Sequence, residues 1–330
     1  MAAFARTEAH LKLPLSRYWN AVRYAPDGRY LQTVWKLRSA LASPPPAAIG
    51  ECFDLGELGS FEEFESKYRT LATFLGRAGQ VPLPGDLEFL HRMVEREGHR
   101  YPGGIGSRDY FFLTALVSIL APSRVVEIGT LTGFSAAIIA AAIHRQYPDS
   151  HAISVETIDV SSQCIIDETR PTGFEIPELI PDLASTVRVH TGHDSDFARG
   201  LATAGEFGLA FIDADHRHPW PLLDLVRLAP YVESGGWIVL HDIQLGSYGQ
   251  KMRDAGESVG DETPYGAELL FERWPFPKIR SAHIGAVSLP ARKTDLVPFA
   301  LSLMDEPLEV KGPAASRARR ALYRGLAELM

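Results

Sequence analysis

From residue 123 onward the chain alternates short β-branched apolar runs with helical ones, and this rhythm constrains its fold more than any other feature. Residues 123–128 (SRVVEI) read as a first strand, followed by an Ala/Ile-rich helix over 133–146. A second strand is expected at 151–155 and a helix at 159–169, then a third strand at 186–190 and a short helix near 196–202. The fourth strand is 207–213 (FGLAFID), then comes a helix over 219–231, and the fifth strand is 236–241 (GWIVLH). A helix at 263–274 precedes two closing strands, 278–283 and 285–289. Short continuous apolar strands separated by helices imply a parallel sheet covered on both faces. The expected class is α/β, doubly wound, with a mostly parallel seven-stranded sheet.

The flanks read differently. Residues 1–43 look helical, with Tyr18, Trp19, Tyr30 and Trp35 among basic residues. Amphipathic packing on the main domain is the plain expectation; a lid over substrate is the alternative. Pro44, Pro45 and Pro46 break this region, and helices follow at 61–78 and 86–98. Gly103-Gly104-Ile105-Gly106 marks a join. The expected division is a helical N-terminal region over 1–104, serving as cap, lid or oligomerisation element, a main domain over 105–290 and a helical tail over 291–330.

Composition removes several function classes. With 33 basic and 41 acidic side chains the formal charge is −8, which argues against broad phosphate neutralisation on nucleic acid. Cys52 and Cys164 are too few for a disulfide framework or a thiolate zinc site, so a reducing cytoplasm is expected. The start, MAAFARTEAHLKLPL, lacks the apolar core of a secretory signal. The longest apolar run, 136–143, is too short to span a bilayer, so no membrane partner is expected.

The sharpest motif is Glu127-Ile128-Gly129-Thr130-Leu131-Thr132-Gly133-Phe134-Ser135, where the first strand turns into a helix. Ligands of open α/β sheets sit at the carboxyl ends of strands, beside a switch point. Glycine there lets backbone approach a ligand with no Cβ in the way. The spacing is neither that of nicotinamide binders nor that of phosphate loops. An acid ahead of the first glycine repels a pyrophosphate and suits a cationic ligand.

EIGTLTGFSA resembles the first motif of class I S-adenosylmethionine-dependent O-methyltransferases, those related to catechol and caffeoyl-CoA O-methyltransferases. It is also similar to the branch with macrocin O-methyltransferase and cephalosporin-hydroxylase-like proteins. The resemblance continues through FIDADH (211–216) and GGWIVLHD (235–242), and covers about the middle half of the chain. It implies a Rossmann-like fold and S-adenosylmethionine as cofactor. Carried over, Gly129, Leu131 and Gly133 line the methionine portion, Ser135 bonds its carboxylate and Glu127 shapes the field near the ammonium and sulfonium. The resemblance also implies a carboxylate after the second strand for the ribose hydroxyls: Glu156, with Asp159 if the strand runs longer. The loop Gly192-His193-Asp194-Ser195 then faces adenine, making His193 and Asp194 candidates, although Asp194 or Ser195 equally suits a helix N-cap.

Two strand ends carry Asp213-Ala214-Asp215-His216 and His241-Asp242. Neighbouring strands should bring them together at one edge of the crevice. Transfer of a methyl group to a hydroxyl requires loss of its proton, and a divalent metal assists by stabilising the oxyanion. In the resembling metal-dependent enzymes an Asp at the fourth strand's end, here Asp213, binds the metal and borders the cofactor. The fifth strand supplies a pair that is usually Asp-Asn or Glu-Asp; here it is His241-Asp242. Carboxylates suit magnesium, whereas imidazole favours manganese, iron or zinc. Asp215 is a substitute ligand. His216 stands where that family places a catalytic lysine, and histidine can act as general base at neutral pH. His218, before Pro219, reads as a solvated loop residue.

The expectation is metal-assisted O-methylation of a small hydroxylated acceptor with magnesium or manganese. The catalytic residues would be Asp213 and His216, the metal ligands Asp213, His241 and Asp242, and homo-oligomerisation is left open. The polar segment 244–265 and the N-terminal region would cover the acceptor. The alternatives are a non-catalytic Rossmann-like binding protein and a nicotinamide oxidoreductase.

Overall fold

The computed structural model describes residues 17–25, 30–43, 46, 48–58, 60–96, 101, 104–257 and 263–330. Residues 1–16, Pro44, Pro45, Gly103 and 258–262, on which parts of the expectations fall, lie outside them. The strands are β1 (Cys52–Asp54), β2 (Val125–Ile128), β3 (Val155–Asp159), β4 (Gln163–Cys164) and β5 (Asp167–Pro171). They continue with β6 (Val187–Thr191), β7 (Phe207–Ile212), β8 (Val232–Leu240), β9 (Lys278–Ser281) and β10 (Ile284–Ser288). The main sheet has the order β1-β9-β10-β8-β7-β2-β3-β6, and β4-β5 form a separate pair.

β2 pairs in parallel with both β3 and β7, β3 with β6, and β7 with β8. Chain order therefore reverses direction at β2, and the crevice opens at its carboxyl end. β10 runs antiparallel between β8 and β9. All four residues of β2 are buried, as a strand covered on both faces requires.

The main sheet has eight strands rather than seven. β1, from the region expected to be purely helical, pairs in parallel with β9, with Cys52 opposite Lys278. Three residues are too few for alternation to announce a strand, and β9 would otherwise be an open edge. The second strand is Val155–Asp159 rather than 151–155, and a hairpin follows instead of a helix. Val155, Thr157 and Ile158 favour extended backbone. Beyond them, short polar side chains bond the nearby main chain: Asp159 accepts from the Ser161 N–H and Asp167 from the Thr169 N–H. Such bonds compete with helix formation.

Two cores lie on opposite faces of the sheet. One packs the helices Phe61–Phe74, Pro84–Arg96, Ser107–Leu120 and Phe134–Gln146 through Phe64, Leu71, Phe89, Phe111 and Ile139. The other packs Trp220–Leu228 and Gly266–Arg273 with the tail helices Leu296–Met304 and Gly312–Leu329. The tail thus belongs to the main core. Tyr30–Ala42 buries Leu37 and Leu41 in this second core, and Lys36 Nζ donates to Ala327 O at 3.1 Å. That helix packs on the domain, not over the crevice. Segment 244–265 opens as a helix, Leu245–Asp254. His218 is 1% exposed rather than solvated, with Nε2 3.1 Å from Leu303 O. No helix among the described residues is long and apolar enough to cross a membrane.

Candidate active site

The glycine loop needs its glycines for reasons internal to the chain. Gly129 has φ +96°, and a Cβ there would lie 2.0 Å from the Asp213 carbonyl oxygen. The loop passes against the end of β7, so only Gly fits. Gly133 has φ +87°, and its Cβ would lie 2.6 Å from Ile176 Cγ1. Asp159 Oδ2 accepts from the N–H groups of Thr130, at 3.0 Å, and Leu131, at 3.1 Å. A carboxylate at the end of β3 therefore fixes the path of the loop.

Glu127 lies beneath this loop, fully buried, outside the residues that line the cavity. Burial pushes its carboxyl up to about 8, against hydroxyl bonds from Ser135 and Thr157, both 2.5 Å, that favour the charged form. The Ser135 hydroxyl is thus turned to Glu127, although the residue does border the cavity.

The cavity has a volume of about 650 Å³. The glycine loop, Asp159, the β4-β5 hairpin, His193, Asp213 and His216 all line it. Glu156 does not. Its carboxylate meets Arg124 at 2.9 Å and His190 at 2.7 Å. Alternation along β3 turns Thr157 and Asp159 toward the loop and Glu156 to the other face. Of the two carboxylates expected at this strand, Asp159 and not Glu156 borders the cavity, because the strand runs four residues beyond the expected end. His193 lines the cavity with its ring stacked on Phe197, centroids 3.9 Å apart. Asp194 also borders it, but its carboxylate caps the Asp196 N–H at 3.0 Å and pairs with Arg227 at 3.0 Å. Asp224 and Arg227 also line the cavity, and neither stands out in the sequence. Ser195 donates to Asp224 at 2.5 Å, and burial pushes the Asp224 carboxyl up to about 6.

The strand ends converge as expected. His241 Nδ1 lies 3.1 Å from Asp213 and 3.7 Å from Asp242. His216 Nε2 lies 3.3 Å from Asp242 and 3.7 Å from Asp213. Burial works to raise the Asp213 carboxyl, but His241 and His216 outweigh it and hold it below the ordinary value. Burial also opposes charge on His241, yet Asp213, Asp109 and Asp242 raise it well above 6.5. One donor atom each from Asp213, His216 and His241 lies within 4.8 Å of the others, close enough for one metal ion. Asp215 instead pairs with Arg217. Sequence reasoning missed Asp109, whose carboxylate lies 3.3 Å from His241 Nε2.

Residues 126–243 match the family described as a methyltransferase domain. No curated protein matches the chain. Among solved structures it is similar to the O-methyltransferase TomG of Streptomyces achromogenes, at 16% identity, with a TM-score of 0.40, covering 68% of this chain and 98% of that one. It is also similar to an O-methyltransferase of Bacillus cereus, at 19% identity and TM-score 0.41, covering 68% and 99%. A caffeoyl-CoA O-methyltransferase-like protein of Staphylococcus aureus, described as putative, is 15% identical with TM-score 0.45, covering 61% and 91%. The span matched by the family runs from β2 to just past Asp242, and so contains the glycine loop, Asp159, His193 and the Asp–His cluster. Residues 126–243 thus make up a methyltransferase domain, carried on a mostly parallel sheet whose chain order reverses at β2.

Proposed function

We propose that this enzyme is an O-methyltransferase for a hydroxyl on a small metabolite, working with a divalent cation in a reducing cytoplasm. The convergence of Asp213, His216, His241 and Asp242 beside the cofactor cavity carries this reading. S-adenosylmethionine would lie along the backbone of Gly129–Leu131 and Gly133, with its ribose toward Asp159 and its adenine toward His193. Asp159 suits that task because its oxygens already face the loop, and a carboxylate can accept several bonds.

The donor set fits a metal. Asp213 and His241 of the 4.8 Å donor group, with Asp242 3.7 Å from His241 Nδ1, would hold it, and two nearby imidazoles favour manganese, iron or zinc over magnesium. Such an ion supplies Lewis acidity that stabilises the acceptor oxyanion. His216 takes the hydroxyl proton at Nε2, and Asp242, 3.3 Å away, favours the imidazolium that results. A second reading, with His216 as a third metal ligand, draws on its place within the 4.8 Å donor group.

The test is transfer of labelled methyl to a panel of phenols, sugars and hydroxy acids, with manganese, magnesium or chelator. Label should appear on oxygen, fastest with manganese and nearly absent in chelator. Undiminished transfer in chelator, or transfer to amines alone, contradicts the reading.

A further inference from the structure

Asp109 lies in the first turn of the helix Ser107–Leu120, outside the span matched by the methyltransferase family. It is 8% exposed. Its Oδ2 accepts from the Gly106 N–H at 2.9 Å, closing the helix end as an acidic residue in a first turn commonly does. Capping accounts for that bond and no more. The same oxygen lies 3.3 Å from His241 Nε2, while Oδ1 is shielded from solvent without a partner. Burying a carboxylate with an orphan oxygen is costly, and an exposed acid would cap as well. The neighbouring side chains Tyr110, Phe111, Phe112 and Leu113 are fully buried, so the helix start is packed on all sides around Asp109. Arg108 pairs with Glu57 at 3.0 Å, tying the helix start to the segment after β1.

His241 therefore has a carboxylate at each ring nitrogen: Asp213 at Nδ1 and Asp109 at Nε2. We propose that Asp109 is a positioning residue for methyl transfer: by accepting the Nε2–H of His241 it fixes the ring's tautomer and turns Nδ1 toward Asp213, and so sets the affinity of the Asp213–His241 pair for a divalent cation. Outer carboxylates commonly play this part for histidine ligands, and their loss costs about 10–100-fold in metal affinity. The inference rests on the metal-assisted reading above. It makes the helix ahead of the matched methyltransferase span part of the active site, through one side chain.

The experiment titrates Mn(II) into the full chain by calorimetry, alongside S-adenosylmethionine as a check on folding. Asp109→Asn should weaken Mn(II) binding roughly 10–100-fold while leaving cofactor affinity unchanged. In a His241→Ala background the same substitution should add nothing. Nitrogen-15 NMR of the Zn(II)-bound wild type, which needs no variant, should show His241 protonated at Nε2. A wild type that binds no Mn(II) overturns the metal reading and this inference together. A wild type that binds it while Asp109→Asn binds equally overturns the role of Asp109 alone. So does a loss that persists without His241, or a proton found on Nδ1.

Discussion

His241 Nδ1 stands 3.1 Å from Asp213 Oδ1, so a side-chain contact links the ends of β7 and β8 at the edge of the cavity that Asp213 lines. A cation held there would take the place of the proton shared between these two groups. Asp213→Asn should therefore abolish Mn(II) binding and lower turnover by on the order of 10²-fold or more, the scale expected when several kcal/mol of oxyanion stabilisation are lost. Cofactor affinity should survive, because the loop and Asp159 stand on β2 and β3. Calorimetry and turnover on the same preparation check this; full turnover in Asp213→Asn would remove the metal from the mechanism.

His216→Ala separates the two roles open to that side chain. As a base, His216 should leave Mn(II) and cofactor binding intact while its loss lowers turnover roughly 10²–10⁴-fold. The deficit should shrink at high pH, where solvent takes the proton. A fall in Mn(II) affinity of the same variant would instead make His216 a ligand.

Asp159 and Glu156, three residues apart on β3, should respond in opposite ways. Asp159→Ala should weaken cofactor binding by about 1–3 kcal/mol, the worth of hydrogen bonds to a charged group. Glu156→Ala should leave cofactor affinity of the folded enzyme unchanged. It should lower stability, by on the order of 3 kcal/mol, because Arg124 and His190 lose their buried partner. Dissociation constants and denaturant midpoints of both variants decide the matter.

His218 should make the fold acid-sensitive. Burial holds its imidazole down at about 4, against the bond to Leu303 O that favours the charged form. An unfolded histidine titrates near ~6.5. Between these values the unfolded chain binds the extra proton, so stability falls as pH drops from about 6.5 to about 4. The loss is roughly 3 kcal/mol for this group. Denaturant unfolding at intervals across that range should show the slope, and His218→Gln should flatten it.

Much of this was legible in the sequence because the signals are long or doubled. Strands β2, β7, β10 and the second half of β8 are apolar runs, and the DADH and HD segments follow two of them, so their convergence follows from strand adjacency. The end of β3 is obscured in the sequence because His151-Ala152-Ile153-Ser154 mimics the start of a strand, while the true strand carries Glu156 and Asp159 in a run otherwise apolar or β-branched. A shift of a few residues decides which of the two carboxylates borders the cavity. The motif alone suggests that Gly129 makes room for a ligand, whereas the nearer constraint is the Asp213 carbonyl, which only tertiary structure reveals. Asp109 carried no signal beyond a helix cap, since its second contact joins residues 132 positions apart.

The most direct test of the whole account is a crystal grown with S-adenosylhomocysteine and Mn(II), measured at the manganese absorption edge. The account predicts an anomalous peak among Asp213, His241 and Asp242, with the ribose hydroxyls on Asp159 and the adenine against His193. A ribose held by Glu156, a cofactor outside the cavity, or no anomalous peak at the Asp–His cluster would contradict it.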